Sequence, residues 1–301
     1  MSIIANPGNR DRLWRSSVIA LPYLWLGLFF LAPFAIVFKI SLAEPLIAQP
    51  PFSPLWGIAE DGTRKLLATL DNYLFLLEDK LYWVSYLKSI KIALISTLLC
   101  LLLGFPMAYA IARTPQPWRN LLLLLVILPF WTSFLLRVYA WIIMLGKEGL
   151  INNGLLGIGI INEPISLLYT DVAVYIGIVY TYLPFMILPL YTTLEKLDLD
   201  LHDAAADLGG KPLHVFRDIT LPMAMPGIIA GSLLVFIPAL GEFVIPALLG
   251  GLDSLMIGRT LYDEFFMNRD WPLASAVATI LLFILILPIM LFQRLQQEPQ
   301  Q

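Results

Sequence analysis

Six stretches of this chain are each long and apolar enough to cross a lipid bilayer, at about 18–40, 86–111, 120–146, 171–194, 225–249 and 273–292. A helix rises about 1.5 Å per residue, so roughly 20 predominantly apolar residues span the hydrocarbon. Hydrophobic residues fill 59% of the 301 positions and charged residues only 14%, against about 25% charged in a soluble domain. A polar shell that thin cannot cover a soluble protein of this size, so lipid is the natural solvent for most of the surface. The expected fold is an all-α membrane protein with six transmembrane helices in a single domain.

The first stretch follows Arg10, Arg12 and Arg15, as a secretion signal would, and "SLAE" at 41–44 resembles a cleavage site. Its apolar run exceeds the roughly 7–15 residues of a signal core, so it reads as a retained anchor. Six spans put both termini on one side, and the positive-inside rule selects the cytoplasm. Arg10, Arg12 and Arg15, then Arg113 and Arg119, then Lys196, Lys211 and Arg217, and finally Arg294 flank that side. Glu60, Asp61, Glu78, Asp79, Glu148, Glu163, Asp253, Asp263, Glu264 and Asp270 make the other side more acidic. The net charge of -3 is too small to indicate a nucleic-acid partner. A lone cysteine, Cys100, excludes a disulfide within the chain and a cysteine metal cluster. In the outer segment 41–85, the prolines of "AQPPFSPLWG" forbid regular helix, and "LDNYLFLLEDKLYWVSYLKS" reads as an amphipathic helix running into the second span. The residues at 296–301 read as a frayed tail.

Between the fourth and fifth spans lies a polar interruption, 195–224, containing "HDAAADLGGKPLHVFRDITLP". Leu201, Ala204, Ala205 and Leu208 follow the spacing of one helix face. Gly209 and Gly210 terminate that helix, and Pro212 suits the first turn of another, to which Val215, Phe216 and Ile219 give an apolar side. The physics alone leaves two readings open: a compact loop packed on its own bundle, or a docking element. The pattern Asp203-Ala204-Ala205, three residues, Gly209, nine residues, Ile219-Thr220-Leu221-Pro222 resembles the signature of permease subunits of binding-protein-dependent ABC importers, with aspartate in place of the usual glutamate. "ALPYLWLGLFFLAPFAIVFKISLAE", "LLLLLVILPFWTSFLLRVYAWIIML", "DVAVYIGIVYTYLPFMILPLYTTL", "VFIPALGEFVIPALLGG" and "FFMNRDWPLASAVA" are similar to the permeases of polyamine importers, and among these to the putrescine-type subunit.

The resemblance implies a type I ABC importer permease in the bacterial inner membrane. It implies a sister permease subunit, two ATPase copies and a periplasmic polyamine-binding protein as partners. The interruption would be the coupling loop that docks into the ATPase through Asp203, Ala204, Ala205, Leu208, Gly209, Ile219, Leu221 and Pro222. The implied work is inward translocation of a polyamine, putrescine first, by alternating access. Related permeases carry spermidine, iron or anions, and a self-sufficient secondary transporter or a membrane assembly protein are rival readings.

The chain shows no catalytic constellation. "GGKP" at 209–212 lacks the Ser or Thr and the upstream glycine of a phosphate-binding loop, so ATP and Mg belong to the partner ATPase and no cofactor is expected here. No His-Glu-x-x-His motif offers a metal site, and His202 and His214 read as solvated surface residues. Moving a polyammonium chain through lipid requires carboxylates, carbonyls or aromatic faces to replace water. Glu242 is the only carboxylate inside a span proper, about 25 Å from the cytoplasmic end at 1.5 Å per residue. Pro238 and Gly241 beside it weaken the helix, and broken helices with free carbonyls build cation sites. Arg137 lies about as deep in the third span. Two readings of Glu242 stay open, a structural ion pair with Arg137 or direct contact with substrate, with Arg137 a pair partner or gate element. Phe130, Phe134, Arg137 and Trp141 share one helical stripe, with Trp131 and Tyr139 on other faces. Asp171 reads as a helix N-cap at the outer surface, with substrate attraction as the alternative. Tyr175, Tyr180 and Tyr182 line a path or anchor the interface. Gly227 and Gly231 have the spacing that lets helices approach closely.

Overall fold

The computed structural model describes residues 18–58, 64–198, 200–251 and 253–297. Arg10, Arg12, Arg15, Glu60, Asp61 and the tail from 298 lie outside the described residues, and Arg294 is placed in backbone only. Most of the rest is helix. The chain divides into two compact units, one of residues up to Glu78 together with Glu264–Leu282, the other of Asp79–Asp263 with the C-terminal end.

In the first unit, α1 (Val18–Ser41) is apolar on every side, and none of its membrane-crossing window is buried. Such a helix is at home where its surroundings are themselves apolar. A short antiparallel pair follows, β1 (Trp56–Ile58) with β2 (Arg64–Leu66), Trp56 opposite Leu66. Helix α2 (Asp71–Glu78) then folds back on the end of α1. Its buried Asn72 donates to the carbonyls of Ser41 and Ala43 at 3.0 and 2.8 Å, satisfying acceptors that a helix end leaves open. The hydroxyls of Tyr73 and Ser41 lie 2.6 Å apart. The helix expected to run from this segment into the second span is interrupted. Asp79 leaves helical geometry and accepts from the Leu81 amide at 2.8 Å, which makes it the N-cap of a new helix.

That helix, α3 (Lys80–Arg113), belongs to the second unit, whose core it forms with α7 (Asp171–Leu194) and α9 (Pro212–Leu240). The core residues include Cys100, Ala108, Met186, Ile187, Leu190, Ala224 and Val235. Close approach depends on missing side chains. A Cβ on Gly227 would meet the Thr193 hydroxyl at 2.6 Å, and one on Gly231 would meet the Met186 sulfur at 2.8 Å.

Polar contacts at the helix ends fix the directions of these helices. Near the start of α3, Lys88 pairs with Asp171 at the start of α7, Nζ to Oδ1 3.5 Å. At the far end, Arg119 binds the carbonyls of Ala112 and Thr114 and pairs with Glu195, just past α7, at 2.8 Å. Helices α3 and α7 therefore run parallel. Along α9, Gly227 packs on Pro189 and Thr193 of α7 and the later Gly231 packs on the earlier Met186, so α9 runs antiparallel to both.

The stretch 120–146, expected as one span, is broken. Helix α4 (Trp118–Ile127) passes into a tight turn at Leu128–Trp131, and α5 (Phe134–Leu145) leads on to α6 (Leu150–Gly157). The two halves, Trp118–Trp131 and Phe134–Gly157, meet at 91°. Pro129 tightens the turn and Thr132 is extended, its hydroxyl donating to the Pro129 carbonyl at 2.8 Å. Among the described residues, five helices are long and apolar enough to cross a membrane, six if the bent pair is one span. The remaining elements are α8 (Asp200–Asp207), α10 (Val244–Leu249), α11 (Ile257–Tyr262) and α12 (Trp271–Gln297).

Candidate functional site

Helix α9 stops at Leu240, and the chain turns through Gly241, Glu242 and Phe243 before α10 starts. The turn frees the first amides of α10, and Glu242 answers them from inside the protein, its residue surface only 7% exposed. Its Oε1 accepts from the amides of Phe243, Val244 and Ile245 at 3.1, 3.0 and 3.4 Å. Its Oε2 accepts from the Tyr182 hydroxyl on α7 at 2.5 Å. Charge-assisted bonds of this kind are the strong ones, so the carboxylate is held in one place. Gly258 of α11 packs against the carbonyls of Gly241 and Glu242 in the same break.

Glu242 and Tyr182 line a cavity of about 550 Å³ together with Thr181, Pro238, Gly241, Phe243, Val244, Phe130, Phe134 and Arg137. Arg137 sits on α5 with its guanidinium carbon 5.7 Å from the Phe130 ring centre and 5.8 Å from that of Phe134. Its Nε is buried with no hydrogen-bond partner among the described residues. Arg137 thus shares the cavity with Glu242 but makes no ion pair with it. The carboxylate has taken the amides of α10 and a tyrosine instead. The broken span allows this because the turn at Leu128–Trp131 carries Phe130, and α5 after it carries Phe134 and Arg137, to the same cavity.

The other pathway candidates are dispersed. Trp131, in the turn, is 73% exposed. Trp141 stacks edge-on against Tyr180 at 5.5 Å, away from the cavity, so the expected stripe ends at Arg137. Asp171 is not the N-cap of its helix: Thr170 is, accepting from the Ala173 amide at 3.4 Å. Asp171 lies one residue inside, where it pairs with Lys88 and accepts from the Ser254 hydroxyl at 2.6 Å. The local sign in the sequence of the amides that hold Glu242 is Pro246, in the first turn of a restarted helix.

In the polar interruption, the chain leaves α8 through Gly209, whose φ of +81° is a left-handed conformation. The Gly210 amide donates to the Ala205 carbonyl at 2.9 Å, and a Cβ on Gly210 would meet that oxygen at 2.7 Å. Asp203, Ala204 and Leu208 are exposed, Leu208 by 91%, while Ala205, Ile219 and Leu221 are half-buried and Pro222 is exposed. The second helix of the interruption does not end before the fifth span. It runs on from Pro212 to Leu240, with a wider turn at Phe216–Thr220 just before Pro222. There the Leu221 amide reaches back to the Phe216 carbonyl, ahead of a proline that has no amide to give. His202 is no free surface residue: its Nε2 lies 2.9 Å from the buried Thr220 hydroxyl, tying α8 to α9. His214 is exposed.

Residues 100–298 match the family of binding-protein-dependent transport system inner membrane components. The chain is 46% identical over 230 residues to the spermidine/putrescine transport system permease protein PotB of Escherichia coli K12, covering 76% of this chain and 83% of that one. It is 40% identical over 278 residues to PotB of Haemophilus influenzae, 92% of each chain. The solved structure of a bacterial ABC transporter involved in the import of the acidic polysaccharide alginate contains a chain that superposes with a TM-score of 0.64 at 19% identity, over 95% of this chain and 98% of that one. That likeness is one of fold, the type I importer permease. The chain belongs to the binding-protein-dependent inner membrane components, as a permease subunit of an ABC importer and not its ATPase.

Proposed function

We propose that this subunit moves a polyamine, putrescine or spermidine, inward across the bacterial inner membrane, and that the Glu242 cavity lies on the route. The observation that carries this reading is a buried carboxylate, fixed by a tyrosine and three amides, facing a cavity walled by phenylalanine rings. A polyamine is ammonium groups on an apolar chain, and those are the surfaces it needs once water is stripped away. The relatives' name points to the same substrates. In this reading the subunit pairs with a sister permease and receives substrate from a periplasmic polyamine-binding protein. ATP and Mg bind to two ATPase copies, which grip the loop 195–224 through the exposed Ala204 and Leu208, and both termini lie in the cytoplasm.

The test is uptake of radiolabelled putrescine and spermidine by the assembled complex in proteoliposomes. Each unlabelled polyamine should compete with the other, while sulfate, molybdate and ferric iron should not. Competition by an anion in place of the polyamines would overturn the substrate assignment.

A further inference from the structure

Arg137 is out of place in a passage for cations. It is half-buried in the cavity wall, its buried Nε has no hydrogen-bond partner among the described residues, and the carboxylate there is bound elsewhere. What holds its guanidinium is the pair of rings of Phe130 and Phe134, both within 6 Å of the charge, the distance at which an aromatic face attracts a cation. Those same rings are the aromatic faces that a substrate ammonium would use. The charges of Arg137 and Glu242 also cancel across the cavity, so an arriving ammonium finds its counter-charge already balanced.

We propose that Arg137 is a resident cation: it occupies the aromatic half of the polyamine site when no substrate is present, and an incoming ammonium displaces it. This rests on the cavity being the route. A polyamine entering with Arg137 in place would set like charges side by side against the same rings, where their repulsion is stronger than in bulk water. Arg137 must therefore swing off the rings. The absence of a hydrogen bond at Nε, and of an ion pair to Glu242, leaves it free to do so. Its return would expel the substrate, so that a weak site is built into the membrane path and the polyamine is not trapped there. Arg137 is on this view a determinant of affinity and release.

The test is equilibrium dialysis of radiolabelled spermidine against the assembled complex in nanodiscs, without the binding protein, beside uptake by the same complex. Arg137→Gln removes the resident cation and should lower the dissociation constant for spermidine about tenfold, the weight of a desolvated cation-π contact, while turnover falls. An unchanged or weaker affinity would overturn the proposal. Should Arg137→Gln fail to assemble, Arg137→Cys in a Cys100→Ser background supplies the same test. A thiol reagent carrying a trimethylammonium group should weaken spermidine binding, and a neutral reagent of similar size should not. Equal effects of the two reagents would also overturn it. Glu242→Gln separates the two levels. If it leaves spermidine binding untouched, the cavity is not the route. If it abolishes binding while Arg137→Gln has no effect, the resident-cation proposal alone falls.

Discussion

Replacing Glu242 by glutamine should remove a charge and leave its hydrogen bonds nearly intact. The amide oxygen can still accept from Phe243, Val244 and Ile245, and the amide nitrogen can donate to the Tyr182 oxygen. The complex should therefore assemble with wild-type yield while polyamine uptake drops at least tenfold. Glu242→Ala strands the buried donors, at about 1–3 kcal/mol for each left unsatisfied, so it should cut the yield of assembled complex as well. Size-exclusion yield and uptake, measured on both variants, separate charge from architecture; equal yields would mean that the carboxylate does not hold the break together. Tyr182→Phe should lie between them. The special position of Glu242 was legible in the sequence as the one carboxylate within a span, beside Pro238 and Gly241. Its partners were not. Depth alone suggests an ion pair with Arg137, but depth along a helix says nothing about which groups a break in the chain will free.

Gly209 is where the element scale can be tested. A residue with a side chain in left-handed geometry costs about 1–2 kcal/mol, and a β-branched one strains further. Gly209→Val should therefore tilt or unwind the end of α8, moving Ala204 and Leu208, with the membrane helices still inserted. ATP hydrolysis by the complex should become uncoupled from uptake; wild-type coupling in the variant would remove the loop from the coupling pathway. This turn was legible because two glycines before a proline admit few conformations. The break at 128–133 was hidden for the opposite reason: Leu128, Phe130 and Trp131 continue an apolar run, and composition averaged over a span conceals a turn that Pro129 and Thr132 build locally. The division at Asp79 was hidden in the same way, by an amphipathic pattern that continues across a cap. Neither fault changes the fold class, which depends on run length, but both change which side chains meet.

For the molecule as a whole, the number of crossings depends on the bent pair 118–157. If it crosses once, the chain has six spans and the loops at 114–117 and 195–224 share a side. If it dips in and returns, there are five, and those loops lie on opposite sides. The second unit favours six. The ion pair of Arg119 with Glu195, at 2.8 Å, joins the end of α3 to the end of α7, and Lys88 with Asp171 joins their starts. Two parallel helices in one bundle require the chain between them to travel back across the same thickness, and only the bent pair and its loop lie between. The basic residues agree, since six spans place Arg113, Arg119, Lys196, Lys211 and Arg217 together, as the positive-inside rule requires. Single cysteines at the exposed positions Pro115, Ile158 and Asp200, in a Cys100→Ser background, turn this into a measurement. In intact spheroplasts a membrane-impermeant thiol reagent should label Ile158→Cys, and label Pro115→Cys and Asp200→Cys only after permeabilisation. If Pro115→Cys instead labels together with Ile158→Cys, and Asp200→Cys alone behaves differently, the bent pair is re-entrant. The loop 195–224 would then lie away from the basic side and could not meet a cytoplasmic ATPase.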